Sequence, residues 1–88
     1  MREKILTVSN RAGLHARPAA MLVQAIKDFT CEIYLEKDQN QIKAKSIMGV
    51  ITLGAAYGSA IKVTTDGEDE EQAMDVITQL FESKFEEE

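Results

Sequence analysis

The sequence predicts an α+β fold in the element order β-α-β-β-α-β-α, with a four-stranded antiparallel sheet covered on one face by three helices. Three observations lead there. Four short segments are β-branched or alternate apolar and polar residues, which is the period of a strand. Two other segments repeat apolar residues at helical spacing, and a third is a short apolar run between a Ser N-cap and a Gly stop. The two kinds are interleaved along only 88 residues, without an internal repeat or a linker, so a single domain spanning 1–88 is expected.

The first strand is Lys4 to Val8, ended by Ser9 and Asn10. A helix follows from Ala16 to about Phe29, on Ala19, Leu22, Val23, Ile26 and Phe29. Pro18 falls in its first turn, where a missing N–H is tolerated. Cys31, Ile33 and Leu35 alternate with Glu32, Tyr34 and Glu36, giving a half-buried second strand, and Cys31 reads as a small core hydrophobe. Lys37 to Asn40 turns the chain into a third strand near Gln41–Ala44. Ser46 starts a short helix that Gly54 stops. Ala60 to Thr65 is the fourth strand, and Asp66-Gly67 is a turn. The last helix runs from about Asp69 to Phe85, its acidic start suiting the helix dipole and its trailing Glu86-Glu87-Glu88 favouring a frayed end.

Charge narrows the range of functions. Ten Lys and Arg against fifteen Asp and Glu give a net charge of −5, which argues against nucleic acid or an anionic membrane as partner. Residues 1–45 hold eight basic and five acidic side chains, whereas 46–88 hold two and ten. The first half can therefore offer a local basic face to an acidic protein. One Cys and one His leave no intramolecular disulfide and no Cys/His zinc site to build within this chain. The glycines are not spaced like a phosphate-cradling loop, and no cofactor is expected. The first ten residues lack the apolar core of a secretion signal, and no apolar run reaches the roughly 18–20 residues of a membrane span, so a soluble cytoplasmic protein is expected.

The chemistry centres on His15, in Asn10-Arg11-Ala12-Gly13-Leu14-His15-Ala16-Arg17-Pro18-Ala19. Gly13 is read as loosening the backbone, with His15 at or beside the helix N-cap. The N–H groups of Ala16 and Arg17 would then have no intrahelical partner and would face whatever His15 carries. Arg17 adds a guanidinium suited to bidentate phosphate contacts. An imidazole is largely neutral and nucleophilic near pH 7, so these parts suit one that accepts and releases a phosphoryl group. The plainer alternative is that His15 caps a helix and Arg17 is solvated.

Gly-Leu-His-Ala-Arg-Pro-Ala at 13–19 resembles the active-site motif of the HPr family, the histidine-containing phosphocarriers of the bacterial phosphotransferase system. Lys45-Ser46-Ile47-Met48-Gly49-Val50, followed by Leu53-Gly54, is similar to that family's regulatory-serine segment. The resemblance covers essentially the whole chain. It implies an open-faced β-sandwich, a phosphoryl acceptor at His15 acting through Nδ1, phosphate positioning by Arg17, and an ATP-dependent kinase acting on Ser46. The implied partners are the phosphoenolpyruvate-dependent first enzyme, sugar-specific acceptor domains and an HPr kinase/phosphorylase, met by a monomer that is not itself an enzyme. Two features depart from the common pattern. Ala12 stands where many sugar-branch members carry a hydroxyl residue, and the stretch from Ala73 to Phe85 looks more like the nitrogen-branch paralogue.

Ser46 is also simply a favourable N-cap. Ile47, Met48 and Ile51 are candidates for an exposed apolar docking patch, with Arg11 and Lys45 as its basic margin. Two functional classes stay open on the residues: a phosphocarrier, and a regulatory module whose phosphorylation state selects the protein that docks.

Overall fold

The computed structural model describes residues 1–86, and the fraying expected at Glu87 and Glu88 lies outside them. Its elements are β1 (Arg2–Thr7), α1 (Ala16–Ile26), β2 (Glu32–Lys37), β3 (Asn40–Lys43), α2 (Ile47–Thr52), β4 (Ala60–Asp66) and α3 (Glu70–Glu82). A short turn, Lys84–Glu86, follows α3. The strands form one antiparallel sheet in the order β1-β4-β2-β3. The expected order and layering are both present, as an open-faced α+β sandwich.

Strand alternation decides which face is covered. Leu6, Ile33, Leu35, Ile61 and Val63 point to one side and are buried. Against them lie Ala19, Leu22 and Ile26 of α1, Val50 of α2, and Ala73, Ile77 and Phe81 of α3. The other face of the sheet stays open, with Ile5 exposed beside Lys62 and with Glu3 paired to the Lys62 ammonium at 3.5 Å. No helix of the described residues is long and apolar enough to cross a membrane.

β1 runs Arg2–Thr7 where Lys4–Val8 was expected, and β3 and β4 differ by one residue. Three other boundaries differ in ways that bear on the core. α1 ends at Ile26 rather than near Phe29, and Phe29 packs on the core from the following turn. Cys31 precedes β2 instead of opening it, although it is buried as expected. α3 stops at Glu82, and Phe85 enters the core from a left-handed turn (φ 52°), its ring centroid 5.2 Å from that of Phe81. Spacing of four residues reads as continuous helix, but burying Phe85 does not require one.

Asp69 does more than favour the α3 dipole. Its carboxylate accepts the backbone N–H groups of Thr30 (2.8 Å) and Cys31 (2.9 Å), tying the α1–β2 turn to the start of α3. The Thr30 N–H leads in holding the Asp69 carboxyl below the ordinary carboxylate range. Glu70 is lowered too, first by accepting the Gly67 N–H at 3.0 Å and then by the N-terminal ammonium at 3.1 Å. Burial foremost, with Asp69 next, pushes the Cys31 thiol up to about 11, so it stays protonated and unreactive at neutral pH.

Carboxyls that ionise more readily folded than unfolded stabilise the protein above their unfolded values. That contribution is lost as pH falls through the lower, folded values. Urea denaturation should accordingly show stability holding from pH 7 to about pH 5 and falling towards pH 3. In Asp69→Asn the acid-dependent fall should be smaller.

Candidate functional site

The chain from Val8 to His15 crosses the end of the sheet and is pinned at several points. The Val8 N–H donates to the Ser59 carbonyl (2.9 Å), and the Gly58 N–H donates to the Val8 carbonyl (2.8 Å). Asn10, which is buried, donates from Nδ2 to the Gly13 carbonyl at 2.9 Å, while the Gly13 N–H donates to the Asn10 carbonyl at 3.1 Å. The Leu14 N–H then reaches the Ala55 carbonyl at 2.8 Å. Gly13 was expected to loosen this loop. Its role is closer to a clamp: at φ +75°, an added Cβ would stand 2.6 Å from the Ala55 carbonyl oxygen, so only glycine lets the two loops close. Nothing in the local pattern marked Asn10 as the residue that ties this loop.

His15 emerges from the clamp as the N-cap of α1, with extended backbone (φ −96°, ψ −156°). Its carbonyl accepts the Ala19 N–H at 2.9 Å, but its side chain caps nothing. The imidazole is exposed and available. Ala16 and Arg17 follow as the first helical residues, exposed, and their N–H groups have no protein acceptor among the described residues. Pro18 is buried beneath them. The plainer alternative, a histidine used as a cap, is not what the side chain does here.

An open cleft of about 590 Å³ gathers His15 with Ser9, Arg11, Ala12, Arg17, Tyr57 and Lys84. Three cations thus surround one imidazole, and none of the three has an ion-pair partner among the described residues. Unpaired guanidinium and ammonium groups with free helix N–H groups make a site for an oxyanion. Tyr57 and Lys84 were not legible as parts of it.

On its other side His15 borders a shallow apolar notch shared with Leu14, Ile51 and Ala55. Ile51 is half-buried, whereas Ile47 and Met48 stand out from α2, 42% and 66% exposed. An apolar surface therefore adjoins the cationic cleft. Ser46 caps α2, its Oγ accepting the Gly49 N–H at 3.0 Å, and it is exposed. α2 has six residues, so Ser46 sits about 9 Å along the helix from the end that borders His15. Lys45 does not join the cleft: its ammonium donates to the Phe29 carbonyl, beyond the far end of α1.

The model of the PTS HPr component phosphorylation site matches residues 2–83. Phosphocarrier protein HPr of Treponema pallidum is 48% identical over 85 residues, covering 97% of each chain. The HPr-like protein Crh of Halalkalibacterium halodurans is 44% identical, over 96% of this chain and all of that one. Among solved structures, HPr of Thermoanaerobacter tengcongensis superposes with a TM-score of 0.96 at 45% identity, covering 100% of this chain and 99% of the other. A match of this extent, on this sheet order and with an uncapped imidazole in a cationic cleft, means that the chain belongs to the HPr family of phosphocarriers of the phosphotransferase system.

Proposed function

We propose that the whole chain, 1–88, acts as one domain that takes a phosphoryl group on His15 from the phosphoenolpyruvate-dependent first enzyme and hands it to a sugar-specific acceptor domain. The observation that carries this reading is the exposed, uncapped imidazole beside Arg11, Arg17 and the N–H groups of Ala16 and Arg17, none of which has an acidic or acceptor partner among the described residues. In the transfer, the lone pair of His15 Nδ1 forms the new P–N bond. The bond between phosphorus and the donor atom breaks, and its electron pair leaves with the donor; the ring proton remains on Nε2. Little covalent work falls to the protein, so positioning and charge stabilisation dominate. The chain carries the group without turning over a substrate of its own, and its setting is the cytoplasm, where such an enzyme would meet it.

Incubation with phosphoenolpyruvate and the first enzyme should give one acid-labile phosphate per chain. Arg17→Ala should slow that labelling by roughly 30- to 160-fold, the effect of losing about 2–3 kcal/mol of charge-assisted contact in the transition state. Stopped-flow or quench-flow labelling checks it; an unchanged rate would leave Arg17 as solvated surface.

A second, compatible reading makes the α2 face a regulated docking surface. Its support is an exposed Ser46 hydroxyl next to the exposed Ile47 and Met48. A phosphate there would meet the α2 dipole favourably, so the fold should persist. It would also set a dianion in an apolar docking face, where desolvation opposes binding. Ser46→Asp should therefore weaken binding of the first enzyme, about tenfold or more by calorimetry, with less effect on the bound rate. Ser46→Ala should transfer normally and lose only the cap, about 1 kcal/mol in urea melts. Equal affinities for wild type and Ser46→Asp would reduce Ser46 to a cap.

A further inference from the structure

Lys84 reaches the His15 cleft from the opposite end of the chain, through a backbone that ordinary residues avoid. Lys84, Phe85 and Glu86 all have left-handed φ (58°, 52° and 60°), and none is glycine. A run of three such residues is unfavourable in itself and persists only where the surroundings impose it. Here Phe85 imposes it, fully buried against Phe81, while the Glu86 N–H donates to the Ser83 carbonyl at 2.9 Å. The end of α3 is in turn tied to the cleft's own loop, since Ser9 Oγ donates to the Phe81 carbonyl at 3.0 Å.

The turn separates charges. Glu86 lines a groove with Ala25 and Leu80, and Lys84 lines the cleft that also holds His15, Arg11 and Arg17. Lys84 is one of only two cations among residues 46–88, against ten acidic residues, yet it is the one delivered to the cleft. It is exposed and has no ion-pair partner among the described residues. At Ala12 the same cleft offers a methyl group with no hydroxyl to donate.

We infer that Lys84 is a phosphate-binding residue, its ammonium donating to an oxygen of the phosphoryl group carried on His15. The inference rests on the assignment of His15 as phosphoryl acceptor. Wild type, Lys84→Gln and Lys84→Arg would be phosphorylated with phosphoenolpyruvate and the first enzyme, isolated, and titrated by phosphorus NMR in the absence of any partner. Removing a nearby cation disfavours the dianion, so Lys84→Gln should raise the phosphate's second ionisation by about half a pH unit or more. It should also slow transfer about tenfold, the effect of one charge-assisted hydrogen bond, with KM for the first enzyme within about twofold. Lys84→Arg should keep both properties near wild type. A labelled Lys84→Gln with wild-type phosphate titration overturns this inference alone; if its KM rises as well, Lys84 is a contact for the partner protein. Wild type that takes no acid-labile phosphate overturns the His15 assignment and this inference with it.

Discussion

His15→Ala is expected to lose all acid-labile phosphorylation while the protein stays folded, with a melting temperature within about 2–3 °C of wild type. Both halves follow from geometry. The imidazole is exposed, makes no cap hydrogen bond and fills no core volume, so its removal leaves neither a cavity nor an orphaned buried group. Among the other side chains of the cleft, Arg11, Arg17 and Lys84 are cations, Ser9 already donates to the Phe81 carbonyl, and a phosphate on the Tyr57 hydroxyl would be an acid-stable ester. Calorimetry together with first-enzyme labelling checks the pair. Normal labelling of the mutant would remove His15 from the chemistry, and a collapsed melting temperature would give it a structural role that its surroundings do not show.

Gly13→Ala should be the more damaging change to the fold. The residue would have to hold φ near +75°, and its Cβ would press on the Ala55 carbonyl oxygen at 2.6 Å and on the Ala56 Cα at 3.0 Å. Both neighbours are backbone, and that carbonyl is the acceptor for Leu14. Left-handed strain and overpacking together put the loss at roughly 2–4 kcal/mol. Labelling should slow as well, because the displaced loop carries Arg11 and leads into His15. Urea melts and labelling rates measure the two effects. A mutant of wild-type stability would mean that the 8–15 and 53–59 loops are not clamped together.

The parts of this protein that depend on local pattern were legible, and those that depend on closure between distant segments were not. Alternation of Ile33 and Leu35, the apolar stripe of α1 and the Ser46 cap each announce themselves within a few residues. The run from Gly13 to Ala19 likewise exposes His15, Arg17 and the free helix N–H groups in one stretch. By contrast, Tyr57 and Lys84 join the cleft only because the loops around Ala55 and Ser59 and the end of α3 meet the chain near Ser9. Asn10 and Asp69 looked like a strand terminator and part of an acidic helix start; their main hydrogen bonds reach the Gly13 carbonyl and the N–H groups of Thr30 and Cys31. Lys45 shows the converse: its proximity in sequence to Ser46 suggested a place at the docking margin, while its ammonium is engaged by the Phe29 carbonyl.

What matters most is where the phosphorus sits. Protein enriched in nitrogen-15 at histidine, phosphorylated with phosphoenolpyruvate and the first enzyme, has a single imidazole to observe, since His15 is the only histidine. Proton–nitrogen spectra of the ring should show a phosphorus–nitrogen coupling at Nδ1, with a proton on Nε2. Adding unphosphorylated first enzyme should abolish that coupling as the group is taken back. Incorporation of phosphate with an uncoupled His15 ring would contradict the account, placing the group on a hydroxyl instead.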